Sequence, residues 1–233
     1  MIRKSTTAAT VAMALMLTAE PPALARSALL ARGRADARDH HCDRAIALFS
    51  QAITEDPADK AAYEARGLCY ALDKQKRYDL ARADFDAIIR LDPGSGRAFT
   101  LRGAAYECEQ DYTLASADFA RAISLSPDDA QAYTAAAWLM ATCPDSKFRN
   151  GPKAVEFATR SCDLSSWRLP YTIDTLAAAS AEDGKFDDAI KWETKAIETF
   201  AHWRDVDASL KLARDRLELY KAHTAYRHSD CDK

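Results

Sequence analysis

Residues 96–129 read GRAFTLRGAAYECEQDYTLASADFARAISLSPDD, and the spacing inside this stretch decides the fold. With Gly96 as the first position, Phe99, Gly103, Tyr106, Ala115, Phe119, Ala122 and Pro127 stand at positions 4, 8, 11, 20, 24, 27 and 32. Small residues at 8, 20 and 27 let two antiparallel helices approach closely. The aromatics at 11 and 24 fill the space beside them. Pro127 ends the second helix, because proline supplies no N–H and constrains the residue before it. The stretch therefore reads as one helix–turn–helix unit of about 34 residues.

The same spacing recurs along the chain. In 26–59 the positions are held by Leu29, Gly33, Ala45, Phe49, Ala52 and Pro57, with Asp36 where an aromatic is usual. A polar residue there suits a terminal repeat that lacks a neighbour on one side. In 60–95 they are Tyr63, Gly67, Tyr70, Ala81, Phe85, Ile88 and Pro93, with two extra residues in the turn around Asp73 to Arg77. Residues 130–169 depart from the pattern: Ala137 ends up before a long turn, Cys143 to Pro152, and Ala154, Ala158 and Cys162 follow it. In 170–203 Gly184, Phe186, Ala189 and Ala196 continue the spacing, and Ala201 replaces the closing proline. Residues 206–226 read as one amphipathic capping helix and 227–233 as a polar tail.

These residues make the mature chain resemble the tetratricopeptide repeat (TPR) family. The segment Ala136 to Trp167, with its Ala-Thr-Cys-Pro-Asp turn, resembles a degenerate variant found in bacterial repeat proteins. The resemblance implies an all-α fold, a right-handed superhelical solenoid of about five hairpins plus the capping helix. It also implies a module that binds proteins or peptides and carries no catalytic site.

Composition agrees with a helical globular chain. Of 233 residues 48% are hydrophobic, and glycine and proline number only 7 and 8. The formal net charge of −3 gives no basis for a nucleic-acid partner or an anionic membrane surface. Residues 1–25 have the layout of a secretory signal peptide: Arg3 and Lys4, an uncharged apolar run from Thr6 to Ala19, and the small-x-small site Ala23-Leu24-Ala25. The expectation is cleavage near Ala25, export to the periplasm or beyond, and no stable membrane anchor afterwards.

All six cysteines follow that site, and none form a Cys-x-x-Cys pair. In an exported chain they permit disulfides. Cys143 and Cys162, on either side of the long turn, are the candidate bridge; Cys42 with Cys69 is a second, and spacing suggests no partner for Cys108 or Cys231. His40-His41-Cys42-Asp43 is the densest group of metal-ligand types, but adjacent side chains diverge, so the expectation is no metal, with Asp43 capping the following helix. No cofactor motif, phosphate-binding loop or nucleophile motif appears. Trp138, Trp167, Trp192 and Trp203 are expected to be packing residues.

Two charge pairs are expected inside hairpins, Arg66 with Asp84 and Arg102 with Asp118, because each pair holds the same two repeat positions. The family resemblance also marks the residues of a concave groove. They are Glu64 and Leu68; Arg97, Thr100 and Glu107; Gln131, Thr134 and Trp138; and Tyr171 and Asp174. Glu64 and Leu68 stand where family members that clamp a C-terminal carboxylate need lysine and asparagine, which excludes that mode. The first functional reading is an exported, non-enzymatic adaptor that binds a protein or peptide in this groove. The alternative is an assembly subunit that self-associates through its repeat ends. An enzyme with an unrecognised site comes third.

Overall fold

The computed structural model describes residues 22–203 and 206–228. Among these residues there are eleven α-helices, one short 3-10 turn at Ser146–Phe148, and no strand. In chain order the helices are α1 Pro22–Arg38, α2 Cys42–Glu55, α3 Lys60–Leu72, α4 Tyr78–Leu91, α5 Gly96–Cys108 and α6 Tyr112–Leu125. They continue as α7 Ala130–Thr142, α8 Gly151–Leu164, α9 Pro170–Glu182, α10 Phe186–Phe200 and α11 Asp207–Lys221. The expected leader lies outside the described residues as far as residue 21, and α1 takes in Ala23 to Ala25.

Helix ends follow from local chemistry. α2, α4 and α6 each stop at a residue that precedes a proline. Asp56, Asp92 and Ser126 there take φ of −142°, −147° and −138°, outside the helical region. α1, α5 and α9 stop differently. His40, Gln110 and Gly184 adopt φ of 59°, 63° and 76°. The N–H of the next residue then reaches back to the carbonyl of Asp36, Tyr106 or Ser180, at 2.8–2.9 Å. This double-turn closure satisfies carbonyls that would otherwise be left without donors. At the starts, Asp59, Ser95, Asp111, Asp129 and Asn150 accept backbone N–H groups as side-chain caps. Asp43 does not: His41 holds the cap position of α2 without a side-chain bond, and Asp43 sits one residue inside the helix.

The chain forms two compact units, Met1–Lys76 and Arg77–Lys233. In the first, α1 and α2 pair as a hairpin and α3 packs on α2. Gly33 is the contact point of the hairpin: a β-carbon there would lie 2.5 Å from the Phe49 ring. Phe49, Ala45 and Cys69 form one core cluster, and Leu29, Ala52 and Ala62 another. Arg66 donates to Ser50 Oγ at 3.0 Å. Its expected partner, Asp84, belongs to the second unit.

In the second unit α4 packs on α5, and α5/α6, α7/α8 and α9/α10 form hairpins. α5 also meets α7, α7 meets α9, and α11 lies against α10. The hairpin contact repeats in α5/α6, where a β-carbon on Gly103 would stand 2.7 Å from the Phe119 ring. The expected pair beside it is present. Arg102 grips Asp118 with two bonds of 2.7 Å and gives a third, also 2.7 Å, to Asp86. One core cluster joins α7, α8 and α9, where Ala137, Ala154, Ala158, Cys162, Ile173 and Leu176 are all buried.

The long turn of the fourth repeat is built, not slack. Asn150 N–H donates to the Met140 carbonyl, while Arg149 donates to the Cys143 and Pro144 carbonyls and to Glu182. Gly151 opens α8 so close to α9 that a β-carbon would lie 2.7 Å from the Asp183 backbone. At the other end, α11 is shorter than the expected capping helix. It stops at Lys221, His223 takes φ of 52°, and residues 224–228 leave the helix.

Candidate functional site

In the first unit Glu64 and Leu68 stand at the wall of a hollow between α1 and α3. A cavity of about 640 Å³ is bounded by Ala61, Glu64, Ala65 and Leu68 of α3 and by Arg34, Ala37 and Arg38 of α1. Phe49 and Cys69 form its floor, and Leu72, 78% exposed, stands at its edge. α3 presents these residues because Ala61, Glu64, Ala65, Leu68 and Leu72 follow helical spacing down one side. The lining is apolar in the middle, with two exposed arginines on one wall and the half-buried Glu64 on the other. A neighbouring hollow of about 620 Å³ is lined by His40, His41, Cys42, Asp43 and Leu72. Among the described residues no group of three or more histidine, cysteine or carboxylate side chains is arranged to hold a metal ion.

In the second unit the equivalent face is covered by the chain itself. Arg216 of α11 binds Asp174 with bonds of 2.6 and 3.0 Å and also stands over the Trp138 ring. The Tyr226 and His228 rings lie 5.9 and 5.8 Å from that of Trp138. Arg227 pairs with Glu182 at 2.6 Å, and the His228 N–H donates to the Thr142 carbonyl at 2.9 Å. Trp138 and Asp174, expected to be open, thus face α11 and the segment that follows it.

The other expected groove residues divide. Arg97 and Gln131 are exposed and bonded to each other at 2.8 Å. Tyr171 meets Trp203 edge-on at 6.5 Å. Thr100 is buried and donates to the Gly96 carbonyl. The Thr134 hydroxyl lies 2.6 Å from that of Ser161, and both use the Ala130 carbonyl. The threonines are therefore taken up inside their own repeats, as short hydroxyl side chains on helices commonly are. Sequence reasoning did not mark Arg216, Glu182, Tyr226, Arg227 or His228. Their only signal is three aromatic-or-arginine residues in a row, Tyr226-Arg227-His228, which reads equally as a polar tail.

Beneath the covered face is a buried charge cluster. Glu193 is fully buried, with Arg216 Nε 3.4 Å from its carboxylate. Burial and the neighbouring Asp174 raise its proton affinity well above the ordinary carboxylate range, against the pull of Arg216. Arg216 and Asp174 form the hydrogen-bonded ion pair, and the surroundings of Glu193 favour its protonated form.

Glu107, half-buried on α5, is pushed up to about 8 by burial. Its folded-state value lies above the unfolded one, so folding takes up a proton. The associated stability is greatest below about 4.5 and is lost as pH rises towards 8. Glu107→Gln should be more stable than the parent by about 1–3 kcal/mol at pH 9, with the gain vanishing near pH 4. Urea unfolding at the two pH values measures this.

The candidate bridge between Cys143 and Cys162 is absent: both thiols are free and buried. Cys143 caps α7 and packs with Phe119 and Leu139, whereas Cys162 lies near the far end of α8 against Ala137 and Ile173. In an antiparallel hairpin that places them about 15 Å apart along the axis, at 1.5 Å per residue. Cys42 and Cys69 are also free, though their thiols meet. Burial pushes Cys69 up to about 12 and Cys162 to about 11, so neither is an activated nucleophile. Cys108 is disulfide-bonded. Trp167 and Trp192 pack on each other at 5.2 Å, beneath Lys195.

No helix among the described residues is long and apolar enough to cross a membrane. Comparison with known proteins agrees with the repeat architecture. The tetratricopeptide repeat family model matches twice, over residues 30–96 and 70–130. No curated relative matches the chain. Among solved structures, TTC0263, a thermophilic TPR protein of Thermus thermophilus, superposes with a TM-score of 0.67 at 18% identity, covering 83% of this chain and 99% of its own. Pseudomonas aeruginosa pilF gives 0.64 at 14% identity, with 87% and 91% covered. YrrB, described as a TPR protein with an unusual peptide-binding site, gives 0.51 at 18%, with 80% and 90% covered. At these identities the likeness to each structure is one of fold, the all-α helical repeat solenoid. Repeat spacing, stacked hairpins and the family match agree: residues 30–130 carry tetratricopeptide repeats, and the described residues form an all-α helical repeat solenoid.

Proposed function

We propose that this protein is an exported, non-enzymatic adaptor that holds a segment of another protein in the groove between α1 and α3. The observation that carries the reading is the groove itself. It has an apolar floor, Leu68 and Leu72 are available to grip a side chain, and Arg34 and Arg38 line one wall. That lining suits a segment with a bulky apolar residue flanked by a carboxylate on the arginine side. YrrB, a repeat protein of similar fold, is described as having a peptide-binding site, which supports a peptide as the ligand class here. Export is supported by the signal-like residues 1–25 and by the disulfide at Cys108, since such bonds persist in oxidising compartments.

The test uses the full chain as bait in its own compartment, with crosslinking and identification of what is retained. Leu68→Asp and Arg38→Glu should each weaken capture at least tenfold, and Trp138→Ala should leave it unchanged. Capture that survives both groove substitutions would refute the site. Concentration-dependent growth of the purified protein, with nothing captured, would favour self-assembly.

A further inference from the structure

Cys42 and Cys69 are free, and their thiols meet. We propose that they form a reversible dithiol–disulfide pair, oxidised by a small-molecule disulfide, that staples the start of α2 to the last turn of α3. The first support is placement. Cys42 is the first residue of α2, and Cys69 begins the last turn of α3. Both belong to one packed cluster with Ala45 and Phe49, and both line the cavity between α1 and α3. Cys143 and Cys162 are free and buried as well, but about 15 Å separates them along their hairpin.

The second support is that the two thiols differ in the way a stepwise exchange needs. Cys42 is half-buried and can be approached from two sides. It lines the groove, and with His40, His41 and Arg44 it lines the neighbouring hollow of about 620 Å³. Cys69 is buried at the groove floor. Burial, then the neighbouring Cys42 and Asp73, push it up to about 12, so it keeps its proton and does not attack first. Cys42 is therefore the attacking residue and Cys69 the resolving one. Once Cys42 is held in a mixed disulfide it bears no charge, and its share of that upward push is gone.

The exchange proceeds in two steps. The Cys42 thiolate attacks one sulfur of the oxidant, forms a mixed disulfide and releases the first thiolate. The Cys69 sulfur then attacks Cys42 Sγ, and the second thiolate leaves. The two cysteines give up two electrons and two protons, and the oxidant takes up both and ends as two thiols. The bridge closes residues 42–69 into a loop, which limits how far the first unit opens. It also fixes the last turn of α3, where Leu72 stands exposed at the edge of the groove. The bridge forms whether or not the groove takes a partner.

The test is made on the full chain, reduced and then equilibrated with glutathione and rising proportions of glutathione disulfide. Digestion without reduction, after alkylation in denaturant, should give a linked peptide pair containing Cys42 and Cys69, with Cys143 and Cys162 recovered alkylated. Cys69→Ser should instead accumulate glutathione on Cys42. In Cys42→Ser the Cys69 thiol should react at least tenfold more slowly than Cys42 does in the parent. Amide exchange over residues 69–72 should slow at least tenfold on bridging, and a dithiol reductant should reverse this. Cys42 and Cys69 unlinked across the whole series, a link from either to any other cysteine in the same chain or another, or Cys69 modified before Cys42 would each overturn the proposal.

Discussion

Arg216→Ala is expected to lower stability by about 3–5 kcal/mol, the range for removing one partner of a buried ion pair. Arg216 is buried, as are both carboxylates beside it, Asp174 and Glu193. Without the guanidinium, Asp174 must either keep an uncompensated charge in the interior or take up a proton at neutral pH. The attraction lost is only part of the cost; stranding the partner contributes the rest. The side chain also lies over the Trp138 and Tyr226 rings, so truncation removes packing between α11, α7 and the terminal segment. At about 2–4 °C per kcal/mol for a chain of this size, the midpoint should fall by about 10 °C. Calorimetry of the single variant, beside Arg216→Met with Asp174→Leu, separates the two contributions. The double replacement should recover much of the loss, because no buried charge is left unpaired. A loss below about 1 kcal/mol in the single variant would show that α11 is held by other contacts.

Gly151→Ala is the second large effect, about 2–3 kcal/mol of destabilisation. Its new β-carbon would stand 2.7 Å from both Cα and N of Asp183, which are backbone atoms and cannot rotate away. The start of α8 would have to move off the end of α9. That would pull on the Asn150 to Met140 bond and on the Arg149 bonds that fix the long turn. Gly103→Ala makes a useful control. Its β-carbon also meets an atom at 2.7 Å, but that atom belongs to the Phe119 ring, which can tilt. Alanine in a helix interior also recovers up to about 1 kcal/mol of backbone entropy. The Gly103 variant should therefore cost less than the Gly151 variant in parallel denaturant titrations. Equal losses would contradict the distinction between a ring and a backbone neighbour.

The repeat core was legible because its determinants are local. Gly103 opposite Phe119, and a proline after Asp56, Asp92 and Ser126, act within one hairpin, where residue spacing fixes geometry. The bidentate Arg102–Asp118 pair was readable for the same reason. What escaped depends on rotation about a helix axis or on separation along the chain. Cys143 and Cys162 flank the same turn, yet one lies at the turn and the other far along α8. Thr100 and Thr134 hold groove positions in number, but their hydroxyls bond within the repeat. The covering of Trp138 by Tyr226 and His228 joins residues far apart along the chain, and no periodicity in so short a segment announces it. Glu64 and Leu68, by contrast, line a groove with α1 inside their own unit, at positions that helical spacing alone puts on one side of α3.

In the second unit Trp138 is covered by the chain itself, whereas the α1–α3 groove of the first unit is the proposed partner site. The most direct measurement is a nuclear Overhauser experiment on the oxidised full chain with the Trp138 and Tyr226 rings selectively labelled. Ring centroids 5.9 Å apart predict clear cross-peaks between the two, together with slow exchange of the His228 amide. A Trp138 ring without contacts to Tyr226, open to a soluble quencher in the oxidised chain, would contradict the account.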